Sequence, residues 1–255
     1  MTPYQYGANN PIRFIDVNGD SLWISYKGND ILYENGNLTN RDGTAYAGKG
    51  VKTDKNGNTK LTGFLKQSVN ALNSIGATQE GGALLTELQG SDNNFNIVKS
   101  SSNSFVPDNT TASMANIPEI QAVSGNIAGS NGSGGTINFN PKTASSGFNT
   151  AGNMSRPGYV GLAHEMFHGR DANQGVLYYG SNYTNPITGA TYQATHLGLE
   201  KSEWRAVYYE NILRGQAGVP LRTNYGLQQM QNGGYQPTGP RLLDINNNPI
   251  NYNVQ

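Results

Sequence analysis

The sequence predicts an α+β fold, in which a small twisted β-sheet is combined with helices and preceded by a short β/turn segment at the N-terminus. Short stretches rich in β-branched and aromatic residues, which are typical of strands, lie before residue 141. Helical patterns lie over residues 61–75 and 199–215. The chain of 255 residues is long enough to bury a substantial core.

A hairpin and two helices are predicted in the first third of the chain. Residues 22–26 and 31–33 have strand composition, and the intervening 27–30 reads Lys-Gly-Asn-Asp, a favourable hairpin turn. Apolar residues recur at helical spacing over 61–75, and a second helix is expected over 82–88.

The middle of the chain predicts two further strands separated by a polar stretch. Residues 95–98 have strand composition, and residues 134–141 alternate apolar with polar side chains, which indicates a half-buried strand. Residues 100–133 are mostly Ser, Asn, Gly and Thr, so we expect a long loop or an irregular β segment there.

Composition excludes several classes of site and partner. The formal net charge is +0 with 13% charged residues and no basic block, which argues against a nucleic-acid partner. Because the chain contains no cysteine, any bound metal must have nitrogen and oxygen ligands. No apolar run approaches the roughly 20 residues that cross a bilayer. The first residues lack the pattern of a secretory signal peptide, so we expect neither a membrane span nor a signal peptide.

The candidate functional helix contains an H-E-x-x-H pattern. Residues 159–168 read Tyr-Val-Gly-Leu-Ala-His-Glu-Met-Phe-His and include two of the three histidines of the chain. On a helix, His164 and His168 lie one turn apart on the same face and can bind one metal ion, with Glu165 beside them to transfer a proton. The alternative is a surface helix with two unrelated histidines. We expect Gly169-Arg170-Asp171 to end or bend this helix.

A catalytic metal site needs a third protein ligand, and simple extensions of the pattern do not supply it. In one common pattern, glycine lies three residues after the second histidine and a further histidine six residues after it. Asp171 and Gln174 occupy those positions here. His196 is a formal candidate, but it lies in a polar loop where it would face solvent or cap the following helix.

The helix predicted over 199–215 offers carboxylate ligands instead. Glu200, Glu203 and Glu210 share one helical face, where a bound cation would relieve the repulsion between like charges. The alternative is a solvated acidic face. Val207 lies within this stripe and Trp204 beside it, which favours an inward orientation.

The N-terminal stretch resembles a known family. Residues 3–20 read Pro-Tyr-Gln-Tyr-Gly-Ala-Asn-Asn-Pro-Ile-Arg-Phe-Ile-Asp-Val-Asn-Gly-Asp. They are similar to the closing segment of the Rhs/YD-repeat core, Y-x-Y-x-x-N-N-P followed by D-x-x-G, although Val17 replaces the usual proline. The resemblance implies a junction segment over 1–20 and a C-terminal toxin domain over 21–255. It also implies delivery by a specialised export system as part of a larger protein, and an immunity protein in the producing cell. An ordinary Asn-rich hairpin is the alternative.

A second resemblance covers residues 157–225. H-E-x-x-H, a helix with E-x-R-[AT]-[VF], and R-x-x-Y occur together in clostridial neurotoxin light chains and in NleD-like effector metallopeptidases. The corresponding segments here are His164-Glu165-Met166-Phe167-His168, Glu203-Trp204-Arg205-Ala206-Val207 and Arg222-Thr223-Asn224-Tyr225. Ser202 departs from the family pattern, in which a second acidic residue precedes the glutamate. The resemblance implies a zincin-like fold and a gluzincin-type site.

The same resemblance assigns roles to individual residues. It implies Zn²⁺ ligands at His164, His168 and Glu203, with Glu165 as general base. Arg222 and Tyr225 would stabilise the oxyanion of the tetrahedral intermediate. Glu210 would either orient a zinc-bound histidine or pair with Arg205 or Arg214.

The function expected from these patterns is a zinc-dependent endopeptidase that acts as a secreted effector or toxin on a protein of a target cell. One alternative is a non-catalytic toxin or binding module with a structural metal site. Another is a deamidase or other hydrolase that uses the same metal chemistry on a different bond.

Overall fold

The computed structural model describes residues 21–124, 130–142, 144–145 and 147–251. It is a mixed α+β structure, which confirms the predicted fold class. The junction segment predicted over residues 1–20 lies outside the described residues. None of the described helices is long and apolar enough to cross a membrane.

The described strands are short, and most form hairpins. In chain order they are β1 (Ser21–Tyr26), β2 (Asn29–Glu34), β3 (Asn37–Thr39), β4 (Val51–Thr53), β5 (Thr59–Leu61), β6 (Asn94–Lys99), β7 (Ser104–Pro107), β8 (Gly135–Phe139), β9 (Ala144–Ser145), β10 (Ser155–Arg156), β11 (Tyr183–Thr184), β12 (Thr191–Tyr192), β13 (Thr195–His196), β14 (Leu199–Glu200), β15 (Asn224–Gln229) and β16 (Tyr235–Arg241).

The described helices include two long ones in the C-terminal half. In chain order they are α1 (Gly63–Gly76), α2 (Gln79–Gln89), α3 (Thr110–Met114), α4 (Pro118–Ser124), α5 (Gly158–Asn173) and α6 (Lys201–Gln216).

The main sheet has six strands in the order β3-β2-β1-β6-β8-β7. β6 runs parallel to β1 and β8, while the remaining pairs are antiparallel. By this order, β3 and β7 are the edge strands of the sheet. The predicted β1–β2 hairpin is confirmed. Its turn residues Lys27 and Gly28 have φ of 51° and 81°, which matches the backbone twist of two-residue hairpins.

The core lies between this sheet and the helices. Leu22, Ile24 and Ile97 of the sheet are fully buried, and so are Leu65 and Leu72 on the apolar face of α1. α1 and α2 pack against β1 and α5, while α5 also contacts β7 and β8. α6 packs along α5 and reaches α2. α5 is therefore surrounded by other elements, and nearly all of it is buried.

Two sequence expectations were wrong. The polar stretch 100–133 contains β7 and the short helices α3 and α4 in its described part. Asn109 caps α3 by accepting a hydrogen bond from the Ala112 N–H, and Pro118 begins α4, where its fixed φ suits a first helical turn. Helix α5 also continues beyond Gly169. A Cβ there would lie 3.4 Å from the Phe95 ring, an ordinary packing distance, so this glycine lies in a helix that packs on the sheet and does not end there.

An ion pair joins the end of α5 to α6. Arg205 Nε and Nη2 donate to the two carboxylate oxygens of Asp171 at 2.7 and 2.9 Å, which is a bidentate arrangement. Asp171 is 1% exposed. Because charge-assisted hydrogen bonds of this kind are strong and directional, the pair fixes the spacing between the two helices.

We expect Asp171→Asn to lower the free energy of unfolding by about 3–5 kcal/mol, because the substitution leaves a largely buried guanidinium without its counter-ion. Chemical denaturation followed by circular dichroism measures the change. Asp30→Asn is the matched control, since Asp30 pairs with an Arg41 whose side chain is 69% exposed. Exposed pairs contribute only about 0–1 kcal/mol. Equal losses in the two variants would contradict the assigned importance of the interhelical pair.

Candidate metal centre and cleft

Helix α5 carries ionisable side chains into the protein interior. His164, Glu165 and His168 are 4%, 7% and 7% exposed, and the Arg170 and Asp171 that follow are buried as well. Polar groups in such positions need partners or a bound cation. Arg170 and Asp171 have ion-pair partners in Glu80 and Arg205. The two histidines face α6 instead.

His164, His168 and Glu203 form a group that could hold a metal ion. One nitrogen or oxygen atom from each residue lies within 4.8 Å of the others. Nε2 of His164 lies 3.0 Å from Glu203 Oε2, and Nε2 of His168 lies 3.4 Å from Oε1. In a tetrahedral zinc site with bonds of 2.0–2.1 Å, ligand atoms lie about 3.4 Å apart. The spacing and the nitrogen–oxygen donor set therefore fit such an ion.

Glu210 fixes the orientation of one of these histidines. Its Oε2 lies 2.9 Å from Nδ1 of His164, and its side chain is fully buried. A proton held on Nδ1 by this carboxylate leaves the Nε2 lone pair free to bind a metal. The other carboxylate oxygen accepts a hydrogen bond of 2.8 Å from Arg214 Nε. Glu210 thus contacts both His164 and Arg214, whereas Arg205 pairs with Asp171.

Charge interactions determine the ionisation of the metal group in the absence of an ion. Burial alone would raise the pKa of Glu203, but His168 and His164 outweigh it and hold the pKa well below its usual range. Burial alone would lower the pKa of His168, but Glu203, Glu165 and Asp171 raise it to about 9. A cation bound at this point would replace the proton on His168.

Two further arginines approach Glu210 from the side of the cleft. Arg156 Nη2 lies 3.5 Å from Glu210 Oε2, and Arg222 Nη1 lies 3.7 Å from the same oxygen. Burial alone would raise the pKa of the Glu210 carboxyl, but Arg156, Arg214, His164 and Arg222 hold it well below its usual range. Glu210 therefore stays ionised in the interior.

Tyr225 and Arg222 lie together beside the metal group. The Arg222 guanidinium is 4.6 Å from the centre of the Tyr225 ring, and its Nη2 donates to the Tyr225 carbonyl. Burial and the Glu203 carboxylate raise the pKa of Tyr225, so its hydroxyl keeps its proton at neutral pH. Two hydrogen-bond donors are thus available near the three candidate ligands.

These residues line one cleft with a volume of about 510 Å³. His164, Glu165, His168 and Glu203 lie on it together with the following side chains: Ser101, Ser102, Asn103, Ser104, Phe105, Pro107, Asn140, Arg156, Leu177, Tyr179, Glu200, Ser202, Arg222 and Tyr225. The cleft runs along the edge strand β7, and Tyr225 of β15 contributes to its lining.

The tyrosine-rich stretch between α5 and α6 has two roles. Tyr179 is 51% exposed and lines the cleft. Tyr178 and Tyr192 are buried and stacked on each other, with ring centres 5.9 Å apart. His196 lies in the same stretch but is not part of the metal group, and its carbonyl accepts a hydrogen bond from Trp204 Nε1.

Sequence reasoning missed two residues of the cleft. Arg156 lies immediately before the Pro157 that caps α5, and Asn103 lies in the Ser/Asn-rich stretch before β7. Nothing in their local sequence separates them from ordinary loop residues, because their position depends on packing against α5 and α6.

The segment that carries the candidate site matches a known protein family. A sequence profile of peptidase family M91, described as effector protein, matches residues 52–225. No curated protein matches the chain. The matched segment contains the metal group, Glu165, Glu210, Arg222 and Tyr225, and it covers more than half of the sequence. The chain belongs to the M91 peptidase family of effector proteins.

Proposed function

We propose that this protein is a zinc-dependent endopeptidase of the gluzincin type that cleaves a protein of a target cell. The observation that carries the proposal is the convergence of His164 Nε2, His168 Nε2 and a Glu203 carboxylate on one point in the cleft, with Glu165 beside them. Membership in a family of peptidase effectors supports it.

His164, His168 and Glu203 would hold the zinc ion, and Glu210 would position His164. A zinc ion in such a site lowers the pKa of water that it binds and polarises the carbonyl of a peptide bond. Three protein ligands leave a position free for this chemistry, whereas structural zinc sites are closed by four. The three-residue group found among the described residues therefore favours catalysis over the structural alternative.

Glu165 would transfer the proton that peptide hydrolysis requires. It precedes Met166 on the buried face of α5 and lines the cleft next to both histidines. Its carboxylate would accept a proton from the attacking water as the carbon–oxygen bond forms. The same proton would then pass to the leaving amine as the carbon–nitrogen bond breaks.

Tyr225 and Arg222 would stabilise the negative charge on the carbonyl oxygen in the transition state. The raised pKa of Tyr225 keeps its hydroxyl as a donor, and Arg222 is cationic and only 6% exposed. Donors held in place before the reaction act strongly in a site from which water is largely excluded.

The biological setting is a further part of the proposal. We propose that residues 21–255 form the toxin domain and that residues 1–20 are the junction with an Rhs core. A larger Rhs protein would carry the domain through a specialised export system, and an immunity protein would protect the producing cell. The Y-x-Y-x-x-N-N-P pattern in residues 3–20 supports this setting.

We expect Glu165→Gln to retain zinc but to lose activity by about 10²–10⁴-fold, the usual contribution of a general acid–base group. Zinc content is measured by elemental analysis. Activity is measured as newly formed protein termini in cells that express the domain. Glu87→Gln, on the surface of α2, is the matched control. Full activity of Glu165→Gln would rule out the role assigned to this carboxylate, whereas an absence of new termini in the wild type as well would favour a non-catalytic module.

We expect Glu203→Gln to weaken zinc binding by at least about 100-fold, because even residues that only orient metal ligands contribute about 10–100-fold. Competition with a chromophoric chelator measures the affinity. Glu200→Gln is the matched control, because Glu200 also lines the cleft but is not part of the metal group. A stronger effect at Glu200 than at Glu203 would show that Glu203 is not the third ligand.

We expect Tyr225→Phe to lower kcat by about 10²–10³-fold while zinc affinity stays unchanged, because the variant loses a donor to the oxyanion. Steady-state kinetics on a cleaved peptide, once one is identified, gives the value. Tyr235→Phe is the matched control, since Tyr235 lies exposed in the same C-terminal hairpin. An unchanged kcat in Tyr225→Phe would show that the hydroxyl does not take part.

A further inference from the structure

The cleft has an arginine whose hydrogen-bonding capacity is largely unused. Nε and Nη2 of Arg156 are buried and make no hydrogen bond within the described part of the chain, although Nη2 lies 3.5 Å from Glu210. The Arg156 side chain is 11% exposed and lines the cleft. Arg222 Nε is also buried without a hydrogen-bond partner among the described residues.

Positive charge is in excess around the buried carboxylate of Glu210. Three guanidinium groups surround it, and Arg214 makes the only short contact, at 2.8 Å, compared with 3.5 Å for Arg156 and 3.7 Å for Arg222. Burial and the nearby Arg156 lower the pKa of Arg222, which is the direction expected for an under-compensated cation. A buried cation of this kind is stabilised by an anion.

Asn103 lies beside Arg156 on the same wall of the cleft. Asn103 Nδ2 occupies the space that a Cβ would take at Gly161, and the Arg156 Nε lies 3.7 Å from the same point. Asn103 Oδ1 accepts a hydrogen bond of 2.7 Å from the Asn140 N–H, which turns the amide NH₂ towards Gly161 and Arg156. This wall of the cleft therefore carries a cationic side chain with an amide beside it.

Arg156 and Asn103 lie close to the candidate metal ligands, because both approach Gly161 of α5. Gly161 precedes His164 by three residues, so it lies on the same face of α5 and about 4.5 Å away along the helix axis. Successive residues of an extended peptide are about 3.3 Å apart. A substrate residue one or two positions from the cleaved bond therefore spans the distance between His164 and Gly161. Glu200 also lines the cleft and is acidic, so the cationic side chains of the cleft are Arg156 and Arg222.

We propose that Arg156, with the amide of Asn103, forms a subsite that binds an acidic side chain of the substrate within two residues of the cleaved bond. This inference rests on the proposed peptidase function and adds a class of substrate to it. The guanidinium charge attracts a carboxylate but not the neutral amide of the same shape. The subsite selects Asp or Glu over their amides.

Cleavage profiling tests the preference. The zinc-loaded full chain is incubated with a peptide library made by digesting a total cell extract, and cleaved bonds are identified by mass spectrometry. Matched peptides with Glu or Gln at the preferred position then give kcat/KM ratios. We expect a ratio of about tenfold or more in favour of Glu, as for a charge-assisted hydrogen bond. We expect Arg156→Gln to reduce the ratio to near unity.

Variants separate charge recognition from support of the metal site. The Glu/Gln ratio is taken within each protein, so a general loss of activity through Glu210 cancels. Arg156→Lys keeps the charge but loses the planar guanidinium, and we expect an intermediate Glu/Gln ratio in this variant. It also serves where Arg156→Gln does not fold. Arg41→Gln, an exposed arginine on the far hairpin, is expected to keep the wild-type ratio. No acidic preference in the wild type, or an unchanged preference in both Arg156 variants, overturns the proposal.

A binding measurement is independent of catalysis. The full chain is titrated with N-acetylglutamate amide and N-acetylglutamine amide, and binding is followed by NMR. Tighter binding of the glutamate probe in the wild type, lost in Arg156→Gln, supports the subsite, and equal binding overturns it. If the wild type cleaves no peptide at all, the proposed peptidase function fails, and the titration alone decides whether the anion subsite exists.

Discussion

The arrangement of the molecule depends on one constraint, which is that α5 is buried along most of its length and still carries ionisable side chains. The main sheet, α1, α2 and α6 all pack against it, so the side chains of His164, His168, Arg170 and Asp171 are largely shielded from water. Each of them is matched by a charge or polar group from another element. The position of α6 therefore follows from polar pairing as much as from apolar packing.

Glu210 shows how one buried group can organise several others. It is fully buried, yet it contacts His164, Arg214, Arg156 and Arg222, which come from three different parts of the chain. Such a network is stable only when its members are satisfied together, and it ties the helix with the histidines to the segment that carries Tyr225. The three candidate metal ligands, Arg222 and Tyr225 are thus held in one connected set of contacts.

Much of the fold was predictable because it rests on local patterns. The β1–β2 hairpin, α1 and α6 follow from turn residues and apolar periodicity. The same holds for the His164–His168 pair, whose spacing is a property of any helix. The pairing of Asp171 with Arg205 and the place of Arg156 beside Glu210 were not predictable, because they depend on how distant elements pack. The expectation that the helix ends at Gly169 was wrong for the same reason, since the packing of α5 near Phe95 is tertiary.

The three candidate ligands come from two helices, and this affects when the molecule can bind an ion. An unfolded chain keeps the two histidines four residues apart, but Glu203 lies 35 residues beyond His168 and approaches them only when α6 packs on α5. Capture of an ion by this group is therefore coupled to folding. A process that unfolds the chain also discards the ion. A chain that refolds afterwards takes up an ion only from the solution around it.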